Sequence, residues 1–230
     1  TPHLFNYENI DSVYLVNEKL YDPKAIKVKI MKDFKNKNIN FYRKKFSKFL
    51  HDSYDFIIYA DYGVSFPRGI LDFKLSLVEK CYFQPPKNIQ NKSIVIIDGP
   101  FTAFDTTRDP NISIFGSAKY TNLLSFNIDQ YKFVTNYFRD ILNKNKYIKT
   151  EFTNYKKFLE DCMKYIPAVQ KSKYLGSRYT IRIVENNPKY DKRTYYIKKD
   201  KNIFYIFSGK VVSCIDASKK IINEINDAIS

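Results

Sequence analysis

The chain has 230 residues, enough for one large domain or two small ones around a hydrophobic core. Hydrophobic residues make up 44% of it and aromatic residues 17%, which excludes an intrinsically disordered chain. No apolar run approaches about 18 residues, so no transmembrane helix and no membrane partner are predicted. The first ten residues also lack the basic and apolar regions of a signal peptide.

The net charge of +15 raises the question of nucleic-acid binding. Only seven of the 39 basic residues are arginine, and the lysines are spread along the whole chain. The accompanying excess of Asn, Ile, Tyr and Phe is typical of an AT-rich coding sequence. We therefore interpret most lysines as solvated, and nucleic-acid binding is the weakest of three functional hypotheses.

Three cysteines, Cys81, Cys162 and Cys214, lie far apart in the sequence and form no CxxC pair. This spacing predicts reduced thiols and a cytoplasmic location, with neither a disulfide framework nor a zinc site. The chain has two histidines, which are too few for a convincing Ser-His-Asp or Cys-His set.

Residues 1–63 predict a strand, a helix and further strands. Asp22 followed by Pro23 is typical of a helix N-cap and first helical residue. Ile26, Ile30 and Phe34 then recur at helical spacing, so a helix is predicted over 22–36. Strands are predicted at 12–16, within 39–48 and at 55–59. This order is typical of an α/β layer.

From residue 64 the pattern becomes strand-rich, with turns containing Pro, Asn or Asp between the strands. Strands are predicted at 71–83, 93–97, 112–115, 179–184, 194–197 and 203–207. Two helices are predicted at 130–143 and 154–165. Together they indicate a mainly antiparallel sheet with inserted helices, an α+β arrangement.

The C-terminal end returns to a strand followed by a helix. Residues 202–207 predict a strand, and isoleucines at helical spacing predict a helix over 213–228. A strand, a Ser-Gly turn and a helix N-terminus present free backbone N–H groups to an anion, and Lys210 adds a positive charge. An ordinary strand-to-helix connection is the open alternative. We predict one unit from 1–63 with 200–230, and another from 64–199.

Four segments resemble FAD-dependent oxidoreductases of the D-amino acid oxidase type, such as glycine oxidase and sarcosine oxidase. Residues 18–26 are similar to the family's Asp-Pro helix entry, and 54–63 to its strand ending in Ala-Thr-Gly. Residues 177–184 resemble the strand that carries an arginine to the substrate. Residues 207–210 resemble the segment under the pyrimidine edge of the flavin.

The family's N-terminal Gly-x-Gly-x-x-Gly unit has no counterpart among the six glycines of this chain. Three explanations stay open: the chain is a fragment, another chain supplies the unit, or the cofactor has been lost.

The resemblance as a whole implies a fold of α/β plus α+β class. An incomplete Rossmann-like FAD layer would carry an inserted antiparallel substrate-domain sheet with two helices.

The resemblance also implies roles for particular residues. Arg182 would hold a substrate carboxylate with its planar fork. The implied FAD contacts are Phe46 at the adenine, Ala60 and Gly63 at the ribose and pyrophosphate, and Ser208, Gly209, Lys210 and Val211 at the flavin. Because the glycine unit is missing, FAD binding by this chain alone is expected to be weak or absent. Alternation along the strand predicts that Tyr179, Ile181 and Ile183 meet the core and that Arg182 lies on the other face. The resemblance implies that Arg182 shares a concavity with residues 208–211.

The leading hypothesis is thus a flavoprotein oxidoreductase that oxidises a small amine or amino acid, seen without its nucleotide-binding unit. The second hypothesis is a non-catalytic binding or scaffold protein that keeps the substrate-domain fold.

Overall fold

The computed structural model describes residues 2–17, 20, 22–44, 46–98, 102–186, 194–208 and 210–230. The chain divides into two compact units, one of residues 12–57 and one of residues 1–11 with 58–230. These boundaries differ from those expected from the sequence. The assignment of 1–63 and 200–230 to a cofactor domain, with 64–199 as a substrate domain, stays a prediction.

The fold is mixed α and β, with four α-helices and nine strands among the described residues. The helices are α1 Pro23–Asn36, α2 Tyr131–Tyr137, α3 Tyr155–Met163 and α4 Cys214–Ile229. The strands are β1 Ile57–Tyr59, β2 Phe73–Gln84, β3 Ile94–Val95, β4 Thr102–Thr106, β5 Ser113–Ser117, β6 Asn122–Phe126, β7 Lys173–Glu185, β8 Tyr195–Asp200 and β9 Ile203–Ser208. None of the helices in this described part is long and apolar enough to cross a bilayer.

The smaller unit contains α1, which begins as the sequence predicts. The Asp22 carboxylate accepts hydrogen bonds from the backbone N–H groups of Lys24 at 2.8 Å and Ala25 at 3.2 Å. The strands expected at 12–16 and within 39–48 were wrong, because the described residues there form no strand. Their bulky apolar residues favour strands, but a strand needs a neighbour to receive its hydrogen bonds.

In the larger unit, β2 is the central strand of a six-stranded antiparallel sheet. β7 pairs with β2 along its whole length on one side. On the other side, β5 pairs with residues 81–83 of β2 and β6 pairs with residues 75–78. β4 and β3 continue the sheet beyond β5. The predicted antiparallel sheet is confirmed, whereas β4 and β6 are additional to the predicted strands.

Helix α2 ends at Tyr137, well before the predicted end at residue 143. The following residues instead turn toward the free edge of β7, where Leu142 forms a parallel bridge with Tyr179. The Asn143 N–H donates to the Tyr179 carbonyl at 2.9 Å. Pairing with a distant strand therefore overrides the local helical pattern.

A second sheet has the order β1-β9-β8. The rings of Tyr59 and Tyr205 stack across β1 and β9 with centroids 5.3 Å apart. Helix α4 follows β9 after a short 3₁₀ turn, and Ala217 and Ile221 are its buried residues. The strand and helix predicted at the C-terminal end are confirmed.

The hydrophobic core lies on one face of the large sheet. At one end of this face, Phe83, Phe104 and Phe115 pack against Phe158 of α3. At the other end, Leu75, Leu77, Tyr179 and Ile183 pack with Phe207 of β9. Alternate residues of β2 and β7 supply both clusters, as expected for a sheet with one buried face.

Two buried carboxylates connect α3 to this core face. Glu79 of β2 is 0% exposed and accepts hydrogen bonds from three groups. The donors are Ser177 Oγ at 2.5 Å, Thr153 Oγ1 at 2.5 Å and the Asn154 N–H at 2.8 Å, while the Tyr179 hydroxyl beside them donates to the Phe152 carbonyl at 2.7 Å. Within α3, Asp161 accepts from Thr102 Oγ1 at 2.7 Å and Ser117 Oγ at 2.8 Å. The helix is thereby held at its start and along its length.

We predict that Glu79→Ala lowers the free energy of unfolding by about 2–4 kcal/mol, because a buried donor without an acceptor costs about 1–3 kcal/mol. Urea unfolding followed by circular dichroism measures this change. Glu160→Ala is the matched control, since Glu160 is an exposed carboxylate on α3, the helix whose start is bonded to Glu79, and its effect should stay within about 0.5 kcal/mol. Equal stability of the two variants would contradict the role given to Glu79.

The cysteines give a second prediction. Cys81 and Cys162 are buried and Cys214 is exposed. Burial raises the pKa of the Cys81 thiol and raises that of Cys162 to about 12, so both stay protonated and unreactive near neutral pH. At pH 8 we expect one of the three thiols to react with a maleimide in the folded protein, and all three in denaturant. Cys214→Ser should remove the single fast reaction; a persisting fast reaction would contradict the burial of the other two.

Candidate ligand-binding face of the antiparallel sheet

The large sheet has a second face, opposite the core, which we call the polar face. Tyr179 and Ile183 are buried in the core, as predicted, so Arg182 lies on the other side of β7. The strand register then assigns the remaining members. The polar face includes Lys74, Ser76, Val78, Lys80 and Tyr82 of β2, Ala103 and Asp105 of β4, Ile114 and Gly116 of β5, and Arg178, Thr180 and Arg182 of β7. Ser76 and Val78 are buried there.

Arg182 lies opposite Ser76 in the β2–β7 pair. Its Nε atom is buried and has no hydrogen-bond partner among the described residues. Two neighbours on the same strand differ: Arg178 donates from Nε to the Lys144 carbonyl at 3.1 Å, and Thr180 donates to Asn143 Oδ1 at 2.7 Å. Arg182 is thus the polar-face residue of β7 whose buried donor lacks an acceptor in this part of the chain.

Lys80 is the second cation of interest on this face. A Cβ atom on Gly116 would lie 3.2 Å from Lys80 Nζ, so the ammonium group lies above this glycine. The Lys80 side chain is exposed, and partial desolvation of its ammonium against the sheet lowers the pKa of this group. The attraction of Asp105 opposes this shift, and the repulsion of Arg182 adds to it.

Asp105 is the acidic residue of the polar face. Burial raises the pKa of its carboxyl group, and the charge of Lys80 opposes that change. No ion pair within 4.0 Å joins Lys80 and Asp105, both of which the structure describes. Neither Lys80 nor Asp105 stands out in the sequence, because only the pairing of distant strands brings them onto one surface.

Gly63, which the resemblance places at the cofactor pyrophosphate, lies against another residue of this chain. Its φ angle is +86°, and a Cβ atom there would lie 2.8 Å from Cδ2 of Phe207. Glycine is therefore required at this position by the backbone conformation and by the approach of the Phe207 ring. Ala60 is exposed just after β1.

Ser208, which was expected to contact the flavin, also forms its hydrogen bonds with residues that follow it closely in the chain. Ser208 Oγ donates to the Lys210 carbonyl at 2.8 Å and lies 2.5 Å from Ser213 Oγ. Lys210 and Val211 are exposed. Gly209 lies outside the described residues. The first α-helical residue is Cys214, so a 3₁₀ turn separates this segment from the α4 N-terminus.

The structure brings some of the sequence-predicted site residues together and not others. Gly63 meets the end of β9 through Phe207, which packs on the core face of the large sheet. Arg182 lies on the opposite face, so the described residues 208, 210 and 211 do not form the expected concavity with Arg182. Phe46 belongs to the smaller unit, where its ring stacks on His51 at 5.9 Å. The substrate and cofactor roles of these residues stay predictions.

A pocket of about 650 Å³ lies at the end of the sheet near the start of β2. Gly63, Phe66 and Phe73 line it, and Arg68 and Asp129 form an exposed ion pair at 3.3 Å beside it. Two of the polar side chains at this pocket, Arg68 and Asp129, are therefore already paired with each other. Within the described ranges, no cluster of three or more His, Cys, Asp or Glu residues is arranged to hold a metal ion.

A weak structural likeness to a known protein is found by comparison of the structure with solved structures. No protein-family profile matches the sequence, and no curated protein matches it either. The crystal structure of glycine oxidase from Geobacillus kaustophilus aligns with a TM-score of 0.37 and 9% identity. The alignment covers 60% of this chain and 30% of that one.

Proposed function

We propose that the polar face binds a small molecule with a carboxylate group through Arg182. The observation that carries this proposal is the buried Arg182 Nε without a hydrogen-bond partner in the described part of the chain. A buried donor without an acceptor is costly, so an incoming acceptor gains more here than at a solvated arginine. The planar guanidinium matches a carboxylate with two parallel hydrogen bonds.

The charges around Arg182 favour the same ligand. Lys80 is close enough for the two cations to repel each other, which contributes to the lowered pKa of Lys80. An anion between them would relieve this repulsion, and the partly buried setting would strengthen its attraction to both. The net charge of +15 also attracts anions over longer distances.

In its finer form, the proposal is that the ligand is an amine or amino acid and that the chain is the substrate-binding part of a D-amino acid oxidase-like oxidoreductase. The four sequence segments and the arginine on the non-core face of an antiparallel sheet support it. When bound, a flavin would supply the hydride acceptor, and Arg182 would orient the substrate carboxylate.

The described residues do not by themselves fit FAD. The Phe207 ring fills the space beside Gly63, and the Ser208 hydroxyl is bonded to its own turn. The oxidoreductase proposal therefore requires a nucleotide-binding unit from another chain or segment. The same observations favour a second candidate, a non-catalytic binding protein, because carboxylate binding at the polar face needs no flavin.

We predict that Arg182→Lys weakens carboxylate binding about tenfold, since an ammonium lacks the planar fork, and that Arg182→Gln abolishes it. NMR titration with propionate should shift the Arg182 side-chain Nε–H resonance of the unaltered protein. Arg178→Lys is the matched control, because Arg178 lies on the same face and is already bonded to Lys144. Unchanged affinity in both Arg182 variants, or no binding at all, would rule out this site.

We also predict that FAD binds to this chain weakly or not at all. The reason is that the contacts implied by the resemblance are occupied by Phe207 and by the Ser208 turn, and that no glycine fingerprint is present. Titration followed by quenching of FAD fluorescence measures the affinity. Stoichiometric binding below about micromolar would contradict this prediction and reveal a phosphate site elsewhere in the protein.

A further inference from the structure

Helix α4 carries an apolar stripe on its exposed side. Ala217 and Ile221 are the buried residues of this helix. In contrast, Ile215, Ile222 and Ile229 are 61%, 54% and 69% exposed. A single exposed isoleucine is ordinary on a protein surface. Three of them at intervals of seven residues, or about two helical turns, instead form a line along one side of the helix. We call these three residues the isoleucine stripe.

The spacing of the isoleucine stripe is that of a surface that pairs with another helix. A seven-residue repeat keeps the same side chains facing a partner helix when the two helices wind around each other. The other seam position of each repeat, three residues after an isoleucine, holds Ser218 and Ile225. Ile225 is partly buried. The Ser218 hydroxyl donates to the Ile215 carbonyl at 2.8 Å, so this serine can enter an interface without leaving a donor unbonded.

The helix that presents the isoleucine stripe is already formed within one chain. A short helix is marginally stable in water when nothing packs against it. Helix α4 has 16 residues, and the burial of Ala217 and Ile221 holds it against the larger unit. Association through its exposed side therefore requires no folding step, which lowers the entropic cost of binding.

The exposed apolar area is sufficient for a pair of chains. Val211 and Val212 lie in the 3₁₀ turn before α4, next to the N-terminal end of the stripe, and are 61% and 74% exposed. Together with the isoleucine stripe they expose about 500 Å² per chain, so two copies would bury about 1,000 Å² in total, the lower bound for a specific interface. An interface of this size is expected to be weak and reversible.

The charges of α4 favour an antiparallel pair. The first half of the helix carries Asp216, Lys219 and Lys220, and the second half carries Glu224 and Asp227. An antiparallel partner brings the half with two lysines beside the acidic half of the other helix, and it also places the two helix dipoles in opposite directions. Since these charges lie beside the stripe and not on it, they determine the orientation more than the affinity.

We propose that two copies of this chain associate through antiparallel α4 helices, with the isoleucine stripe of one copy against that of the other. The two-fold axis passes beside Ile222, which meets Ile222 of the other copy, while Ile215 meets Ile229. Both copies use the same surface, so the contact closes as a dimer. This association does not depend on ligand binding at the polar face.

Sedimentation equilibrium of the unaltered 230-residue chain tests the proposal. We expect the mean mass to rise from 27.3 kDa toward twice that value as the chain concentration rises from about 1 to about 200 μM. Ile222→Glu should weaken association at least about 100-fold, because two carboxylates would then face each other in the apolar centre of the interface.

Asn223→Glu is the matched control, since it adds the same charge at the next residue, which is exposed and lies outside the stripe. It should dimerise like the unaltered chain. Because Ile222 is exposed in the single chain, the circular dichroism spectrum of Ile222→Glu should be unchanged. A chain that stays monomeric at about 200 μM would overturn the proposal. A dimer that Ile222→Glu does not weaken would overturn it as well.

Cys214, the exposed thiol at the start of α4, reports the orientation of the pair. In an antiparallel dimer centred on Ile222, the two Cys214 residues are roughly 24 Å apart along the helices, at about 1.5 Å per residue. In a parallel dimer only the interhelical distance of about 10 Å separates the helix axes at this level. Spin labels on Cys214, measured by double electron–electron resonance, should therefore give a distance of at least about 24 Å that disappears in Ile222→Glu. A distance below about 15 Å would overturn the antiparallel arrangement.

Discussion

The buried carboxylate of Glu79 is the constraint on which the arrangement of the larger unit depends. It lies in the middle of the central strand, and its donors come from β7 and from the residues that lead into α3. A fully buried charge is tolerated only when its hydrogen-bonding capacity is satisfied. The requirement fixes the register of β7 against β2, since a shift of one residue would turn Ser177 and Tyr179 away from the carboxylate. It also places α3 across the core face, on the side of the sheet opposite the polar face.

The parts of the fold that the sequence predicted are those determined locally. Helix α1 follows from the Asp22-Pro23 cap, and the face of Arg182 follows from simple alternation along β7. The prediction of strands at 12–16 and within 39–48 was wrong, because β-forming residues become a strand only where another strand pairs with them. The early end of α2 and the proximity of Lys80 to Asp105 depend on contacts between distant segments. A single sequence carries no direct signal for such contacts.

The residues that resemble a cofactor-binding segment serve internal packing in this structure. Gly63 adopts a conformation that favours glycine and admits the Phe207 ring, and the Ser208 hydroxyl closes the turn after β9. A glycine or serine in a suggestive position is thus explained by the needs of the backbone before any ligand is considered. Arg182 differs, because its buried donor has no such explanation within the described residues. This contrast is why the polar face, and not the end of β9, carries the functional proposal.

The pairing of β2 with β7 has a consequence for how the protein folds. The two strands are about 90–110 residues apart in the sequence, as the pairs Gln84–Lys173 and Phe73–Glu185 show. During synthesis, β5 and β6 become available early for one edge of β2, while the other edge waits for a segment that emerges much later. Closing so long a loop is slow, and an open apolar strand edge attracts other chains in the meantime. The yield of native protein should therefore depend on temperature, chain concentration and chaperones during translation more than on the final stability of the fold.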